Sequence, residues 1–243
     1  MTSRSVTCLA LAGIASAASA SLITTSANQS IRASATAEDR FQGVPDPNSS
    51  DEDEAFNGNS AISGPFNASV VATADTTEQL VQTTATLSSL ITPTHIEGTG
   101  SIGYEADVQG GSMSFATAGG DSMFILEFVI ETATEVEFIA AIDRSEMTGV
   151  SLFGPSVFVG IGEQGPSTMP GTTISYTGIL QPGAYLINAI TLRFGAEQGV
   201  IGNTLPAGVT SDKQEWSFSL RVIPAPATAA PLLGLGLFAR RRR

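Results

Sequence analysis

The chain has 243 residues, with 23 acidic and 11 basic side chains, a formal charge of −12, one histidine and one cysteine. That acidic balance repels nucleic acid and anionic lipid and favours divalent cations or basic partners, so no nucleic-acid partner is expected. One histidine excludes a multi-histidine metal site, and one cysteine excludes an internal disulfide.

At the start of the chain Arg4 precedes an apolar run from Val6 through Ile14, followed by Ala15-Ser16-Ala17-Ala18-Ser19-Ala20. Basic, apolar and small-residue stretches in this order make residues 1–20 a signal peptide, with Ala18 and Ala20 forming the A-x-A cleavage box. The expected partners at this stage are the Sec translocon and signal peptidase. Cys8 falls inside the apolar run and leaves with it, so the mature protein carries no thiol for metal binding or nucleophilic chemistry. Without Arg4 and the four terminal arginines, six basic side chains face 23 acidic ones, and the exported body carries a charge near −17.

Residues 21–60 read as a polar, acidic leader or linker, with Pro45-Asp46-Pro47 and the run Asp51-Glu52-Asp53-Glu54. Calcium loops space their ligands and fix a turn with glycine, as in D-x-D-x-D-G, whereas consecutive like charges belong to solvated, extended chain.

From residue 61 to 223 the apolar pattern has period two. In Trp216-Ser217-Phe218-Ser219-Leu220-Arg221-Val222 every second side chain is large and apolar, as in a strand with one face buried. Phe124, Leu126, Phe128 and Ile130 repeat the scheme, as do Val136, Phe138, Ala140 and Ile142. Further strands are predicted over 69–73, 80–90, 95–105, 112–116, 150–153, 157–161, 172–179 and 185–194, with separators rich in Gly, Pro and Asp. Abundant Thr, Ser, Gly and Val, a single lysine (Lys213) and no long amphipathic helix complete an all-β reading: one antiparallel β-sandwich or jelly-roll-like domain. Within it, Leu180-Gln181-Pro182-Gly183-Ala184-Tyr185 sets a Pro-Gly turn ahead of a strand opening with tyrosine, which resembles the tyrosine corner of immunoglobulin-like and fibronectin-like sandwiches. Tyr185 would then hydrogen-bond back to the chain near the turn; an ordinary hairpin with an exposed tyrosine is the alternative.

Three features invite a catalytic or ligand-binding reading. A Ser-His-Asp triad would have to use His95, but no G-x-S-x-G elbow accompanies it, so a structural or surface histidine is expected. Gly160-Ile161-Gly162-Glu163-Gln164-Gly165 matches G-x-G-x-x-G, yet Pro166, Pro170 and Gly171 follow where the phosphate-binding use needs a helix; a glycine-rich loop is expected. Glu127, Glu131, Glu135, Glu137 and Asp143 could furnish the paired carboxylates of a glycosidase, about 5 to 10 Å apart. Their alternation with apolar neighbours is explained by a solvated sheet face. No catalytic, cofactor-binding or metal-binding residues are assigned, and no cofactor is expected.

The chain ends in Val222-Ile223-Pro224-Ala225-Pro226-Ala227-Thr228-Ala229-Ala230-Pro231, then Leu232, Leu233, Gly234, Leu235, Gly236, Leu237, Phe238 and Ala239, and finally Arg240, Arg241, Arg242 and Arg243. An apolar segment closed by clustered arginines is a stop-transfer arrangement, predicted as a single hydrophobic helix. Its sixteen residues from Pro224 would cover roughly 24 Å against a hydrocarbon core of about 30 Å, so snorkelling arginines or local thinning complete the span. The order of Pro-x-Pro element, Gly- and Leu-rich stretch and arginine cluster resembles the PEP-CTERM sorting signal. In this chain the motif is Pro224, Ala225 and Pro226, with alanine where the family usually has glutamate, and the resemblance covers residues 224–243 only. It implies recognition by an exosortase-type enzyme of a Gram-negative bacterium and association with exported polysaccharide.

The expected protein is therefore an exported, non-enzymatic cell-surface or extracellular-matrix protein, held at least transiently in the inner membrane by its tail. A calcium- or carbohydrate-binding sandwich module is the alternative, with a secreted glycoside hydrolase behind it.

Overall fold

A computed structural model describes residues 21–41, 44–76, 79–108, 113–143, 148–162, 173–193, 198–199 and 208–224. The period-two segments do what alternation requires: each buries one file of side chains and must find a second sheet to cover it. The strands are β1 (Leu22–Phe41), β2 (Val44–Asn59), β3 (Gly64–Asp75), β4 (Gln79–Ile91), β5 (His95–Val108), β6 (Met113–Ile130) and β7 (Thr134–Ile142). They continue with β8 (Thr148–Gly154), β9 (Val157–Gly162), β10 (Thr173–Leu180), β11 (Gly183–Arg193), the two-residue β12 (Gln198–Gly199) and β13 (Gly208–Val222). One sheet runs β2-β1-β6-β11-β8-β9, with β12 paired to β6; the other runs β10-β7-β13-β5-β4-β3. Every pairing is antiparallel. The two sheets stack face to face as a β-sandwich, as the alternation predicts.

Every strand predicted from alternation falls on a strand of the fold, with residues 112, 172 and 194 at the ends of three of them outside the described residues. Two of them, 112–116 and 123–130, are one: β6 continues through Ala116, Ala118 and Gly120 without a turn. Each of its inward side chains over that stretch is a methyl group or a hydrogen, so the apolar signal fades while the strand does not.

The leader reading of residues 21–60 is overturned. β1 and β2 are full members of the first sheet, and β1 pairs with β6 from Leu22↔Ile130 to Arg40↔Met113. Residues 22–59 accordingly belong to the sandwich rather than to a linker ahead of it. The physical reason is a file of small inward side chains, Ile31, Ala33, Ala35 and Ala37, all buried. Its neighbour β2 carries the acidic run at a sheet edge, where alternation divides the four acids. Asp53 Oδ2 accepts a hydrogen bond from the Thr73 amide and Asp51 Oδ2 one from the Asp75 amide, both at 2.9 Å. Thr73 and Asp75 lie on β3, the edge of the opposite sheet, so these carboxylates tie the two sheets together where strand pairing stops. Glu54, on the alternate side, pairs with Arg32 at 2.8 Å.

Between the sheets lies an apolar core crossed by hydrogen bonds. Thr83 Oγ1 donates to Ser34 O at 2.8 Å, Ser122 Oγ to Thr86 O at 2.9 Å and Trp216 Nε1 to Ser122 O at 3.2 Å, and Ser89 meets Gln29. Each joins one sheet to the other and satisfies a polar group that burial would otherwise penalise. Trp216 lies over a gap in β5: a Cβ on Gly100 would stand 2.5 Å from its ring, and one on Gly98 2.8 Å from the Phe218 ring. Phe218 in turn stacks on Trp216 at 5.9 Å and packs against Phe124 at 5.0 Å.

Candidate functional site

The antiparallel registers bring both ends of the described fold to one pole. Leu22 donates its amide to Pro93 O at 2.7 Å, and Val222 donates to the next carbonyl, Thr94 O, at 2.9 Å. Ile223 continues alongside β7 through a 2.8 Å bond to Glu135 O. Pro224, exposed, is the last residue described; the rest of the Pro-x-Pro motif, the apolar segment with its arginines and the signal-cleavage residues Ala18 and Ala20 lie outside the described residues. Among the described residues, no helix is long and apolar enough to cross a membrane.

The same pole carries the tyrosine corner. Tyr185 is buried, its hydroxyl donates to Gln181 O at 2.7 Å, and Ser156 Oγ lies 2.7 Å from the same hydroxyl. Gln181 returns an amide hydrogen bond to Ser156 Oγ at 3.2 Å. Three elements meet on this one phenol: the β10–β11 turn, the β8–β9 hairpin and the start of β11. The corner is therefore rigid.

Around this fixed frame large apolar side chains point outward. Phe153 and Phe158 face each other across the β8–β9 hairpin as a T-shaped pair with centroids 5.6 Å apart, and Ile179 stands at the end of β10. With Ile23 and Ile62 they are 40 to 55% exposed, although side chains of this kind are ordinarily covered. The sequence reading missed them, yet a signal existed. Val150 and Leu152 are the inward file of β8, which turns Phe153 outward; Tyr176, Gly178 and Leu180 do the same for Ile179.

The other candidate groups are dispersed. Glu127 lies on the outer face of the first sheet, accepting from Ser26 Oγ at 3.0 Å, while Glu135 and Glu137 lie on the outer face of the second. Two sheet thicknesses, more than about 10 Å of packed core, separate these faces, so Glu127 forms no carboxylate pair with either. Glu131 sits in the turn between them and Asp143 at the far end of β7. His95 Nε2 is approached by Ser219 Oγ at 3.1 Å, Glu97 Oε2 at 3.3 Å and Arg221 Nε at 3.4 Å. A triad needs serine and carboxylate on opposite ring nitrogens; here both reach the same one. Gly160 and Gly162 belong to β9, and Gly162, at φ 70°, lets the Thr148 carbonyl approach where a Cβ would collide. That close approach accounts for the second glycine of the motif; Glu163, Gln164 and Gly165 lie outside the described residues. Among the described residues no cluster of three or more His, Cys, Asp or Glu is placed to hold a metal ion.

The outer face of the second sheet is shallowly concave. One depression on it, about 490 Å³, is lined by Thr86, Thr99, Ser101, Ser217 and Asp143 with the Lys213–Glu215 ion pair. Small outward residues at the sheet centre leave this trough between taller side chains.

Comparison with protein-family models, with curated proteins and with solved structures finds no match to this chain.

Proposed function

We propose that the protein is an exported, non-enzymatic surface or matrix-associated β-sandwich, delivered by its signal peptide and held at one pole by the C-terminal segment until that segment is processed. The observation that supports this reading is the placement of Leu22 and Val222 on adjacent carbonyls of one loop. A body tethered through a single pole presents its far end and both broad faces outward. The tail, with Pro224, Ala225 and Pro226 ahead of an apolar run and Arg240 to Arg243, would engage the bilayer and an exosortase-type enzyme. The test is the intact mass of the mature protein from its native host. A mass starting at Ser21 and lacking the residues beyond Pro226 is expected; a retained signal segment refutes export, and a retained tail refutes processing.

A second reading is favoured by the trough on the outer face of the second sheet. Its hydroxyls and flanking charges suit the polyhydroxylated, unbranched surface of a polysaccharide, consistent with a jelly-roll-like binding module. Glycan binding should raise the melting temperature with a saturating dependence on sugar concentration. No shift across a panel of neutral and cationic polysaccharides removes this reading, and a shift with millimolar calcium alone replaces it with a cation site.

A further inference from the structure

The two outer faces of the sandwich differ in chemistry. On the second sheet, small hydroxyl side chains stand among the carboxylates of Glu97, Glu105, Asp107, Glu135, Glu137 and Glu215, and the exposed Val71, Leu80 and Ile139 are scattered singly between them. On the first sheet the outward positions of β6 hold Met123, Ile125 and Val129, and those of β11 hold Leu186, Ile190 and Leu192, all partly exposed. Phe153 and Phe158 extend this surface onto β8 and β9. As a result β6 is apolar at seven of the eight positions from Met123 to Ile130. An antiparallel sheet with one wet face alternates, whereas a strand apolar on both sides belongs to a sheet covered on both sides.

We infer that this face is the interface of a two-fold homodimer, with the axis running along β11. The registers argue for a second copy as the cover. β11 lies between β6 and β8: Ile190 is flanked by Met123 and Gly149, Asn188 by Ile125 and Ser151, and Leu186 by Glu127 and Phe153. A half-turn about β11 lays β6 of each copy over β8 of the other, so that Met123 meets Gly149 and Ile125 meets Ser151, tall side chains against short ones. Glu127 then meets Phe153. Neither β8 nor β9 carries an acid, so the carboxylates of Asp121 and Glu127 face no like charge on them. The other broad face, with its strand carboxylates, offers a second acidic copy repulsion instead. Size agrees as well. Four strands about 4.8 Å apart, presenting roughly six to nine residues each at about 3.4 Å, give a footprint on the order of 500 Å² per copy, and the pair buries about 1,000 Å², enough for a specific interface. Two sheets with the same hand of twist also stack face to face without distortion. The pairing is independent of the tail, and it leaves the hydroxyl-lined trough open.

The test uses the full mature chain, tail included, with Cys8 absent or replaced by serine and one cysteine introduced. Ile190→Cys lies on the axis, and Ser211→Cys is exposed on the opposite broad face. With a short bis-maleimide and protein at tens of micromolar, covalent dimer at 190 should exceed that at 211 at least fivefold, and sedimentation equilibrium should give twice the chain mass. Phe153 is 53% exposed, so the fold tolerates its replacement. Phe153→Glu sets a carboxylate against Glu127 of the second copy and should bring the yield at 190 down to the 211 level. Phe153→Lys offers the same Glu127 an opposite charge and should keep at least half of the parent yield, while Val71→Glu, on the other face, should change nothing. Circular dichroism melting of each variant reports intact folding. A pairing indifferent to the sign of the charge at 153 overturns the inference, as does equal cross-linking at 190 and 211, the result that association through the tail gives. A monomer overturns it too: one whose 190 thiol resists labelling is covered by its own chain, and one whose label shifts to the blue on phosphatidylcholine vesicles uses the face for lipid.

Discussion

The two ends of the sandwich fill the same two-layer space in opposite ways. Toward the pole where the chain leaves, the core is built of Phe124, Phe128, Phe138, Tyr185, Trp216, Phe218 and the aliphatic side chains around them. Toward the other end most inward positions are alanine, Ala33, Ala35, Ala37, Ala72, Ala74, Ala85, Ala106, Ala116 and Ala118, with Val81 and Ile102 among them. β1, which carries much of the alanine file, approaches β4 more closely than β11 approaches β13 across the aromatic layer. A close-packed interior can be reached with large groups at wide spacing or methyl groups at narrow spacing, but the two answer mutation with opposite signs.

Truncation should hurt most at the aromatic end. Trp216→Ala empties the site over Gly98 and Gly100 and strips Ser122 O of its indole donor, and denaturant unfolding should show a loss of about 3 to 5 kcal/mol. At the alanine end the damaging change is enlargement. Ala35 is fully buried between Asp53 and Ala118 in register, and Ala35→Leu has nowhere to place three more carbons without moving a sheet. It should cost about 2 to 3 kcal/mol, whereas Ala35→Gly should cost only about 1 kcal/mol. If Ala35→Leu were tolerated as well as Ala35→Gly, the narrow spacing would not be a packing constraint and the contrast between the ends would fail.

The same contrast decides what could be read from the sequence. Trp216 to Val222 was legible because its inward residues are large and its outward ones polar, and Phe124 to Ile130 and Val136 to Ile142 because large apolar residues recur at most of their inward positions. The alanine strands were not: Ile31-Arg32-Ala33-Ser34-Ala35-Thr36-Ala37 alternates just as strictly, but alanine carries little hydrophobic signal and has low strand propensity. The acidic run of β2 was hidden for another reason. A carboxylate that accepts from an edge-strand amide looks, in sequence, like one that faces only water, and only the fold places the Thr73 and Asp75 amides opposite Asp53 and Asp51. Tyr185 was legible through its Pro-Gly turn, though its partner Ser156 was not. The exposed Phe153 and Phe158 were overlooked because alternation was used to find what faces in, and the same pattern equally states which phenylalanines face out.

The smallest effect concerns the outer face of the first sheet, where the two ends meet on β6. Asp121 stands in register with Arg32 on β1 and with Leu192 on β11. Burial raises its pKa above the ordinary aspartate value, and Arg32 opposes that shift without cancelling it. The sign follows from linkage: the folded state holds the proton more tightly than the unfolded chain, so below the unfolded value, near 3.9, both states are protonated and folding carries no charge penalty. As pH rises through that value and past the folded one, ionisation in the half-buried site subtracts stability, and the loss persists to neutral pH. Asp121→Asn is a neutral isostere that keeps the shape and removes the charge. It should raise the melting temperature at pH 7 and bring no gain at pH 3.5, so the difference between variant and parent must grow as pH rises. A difference that stays flat, or a variant less stable at pH 7, would mean that the attraction to Arg32 outweighs desolvation, and that this part of the sheet surface behaves as open solvent rather than as the margin of the core.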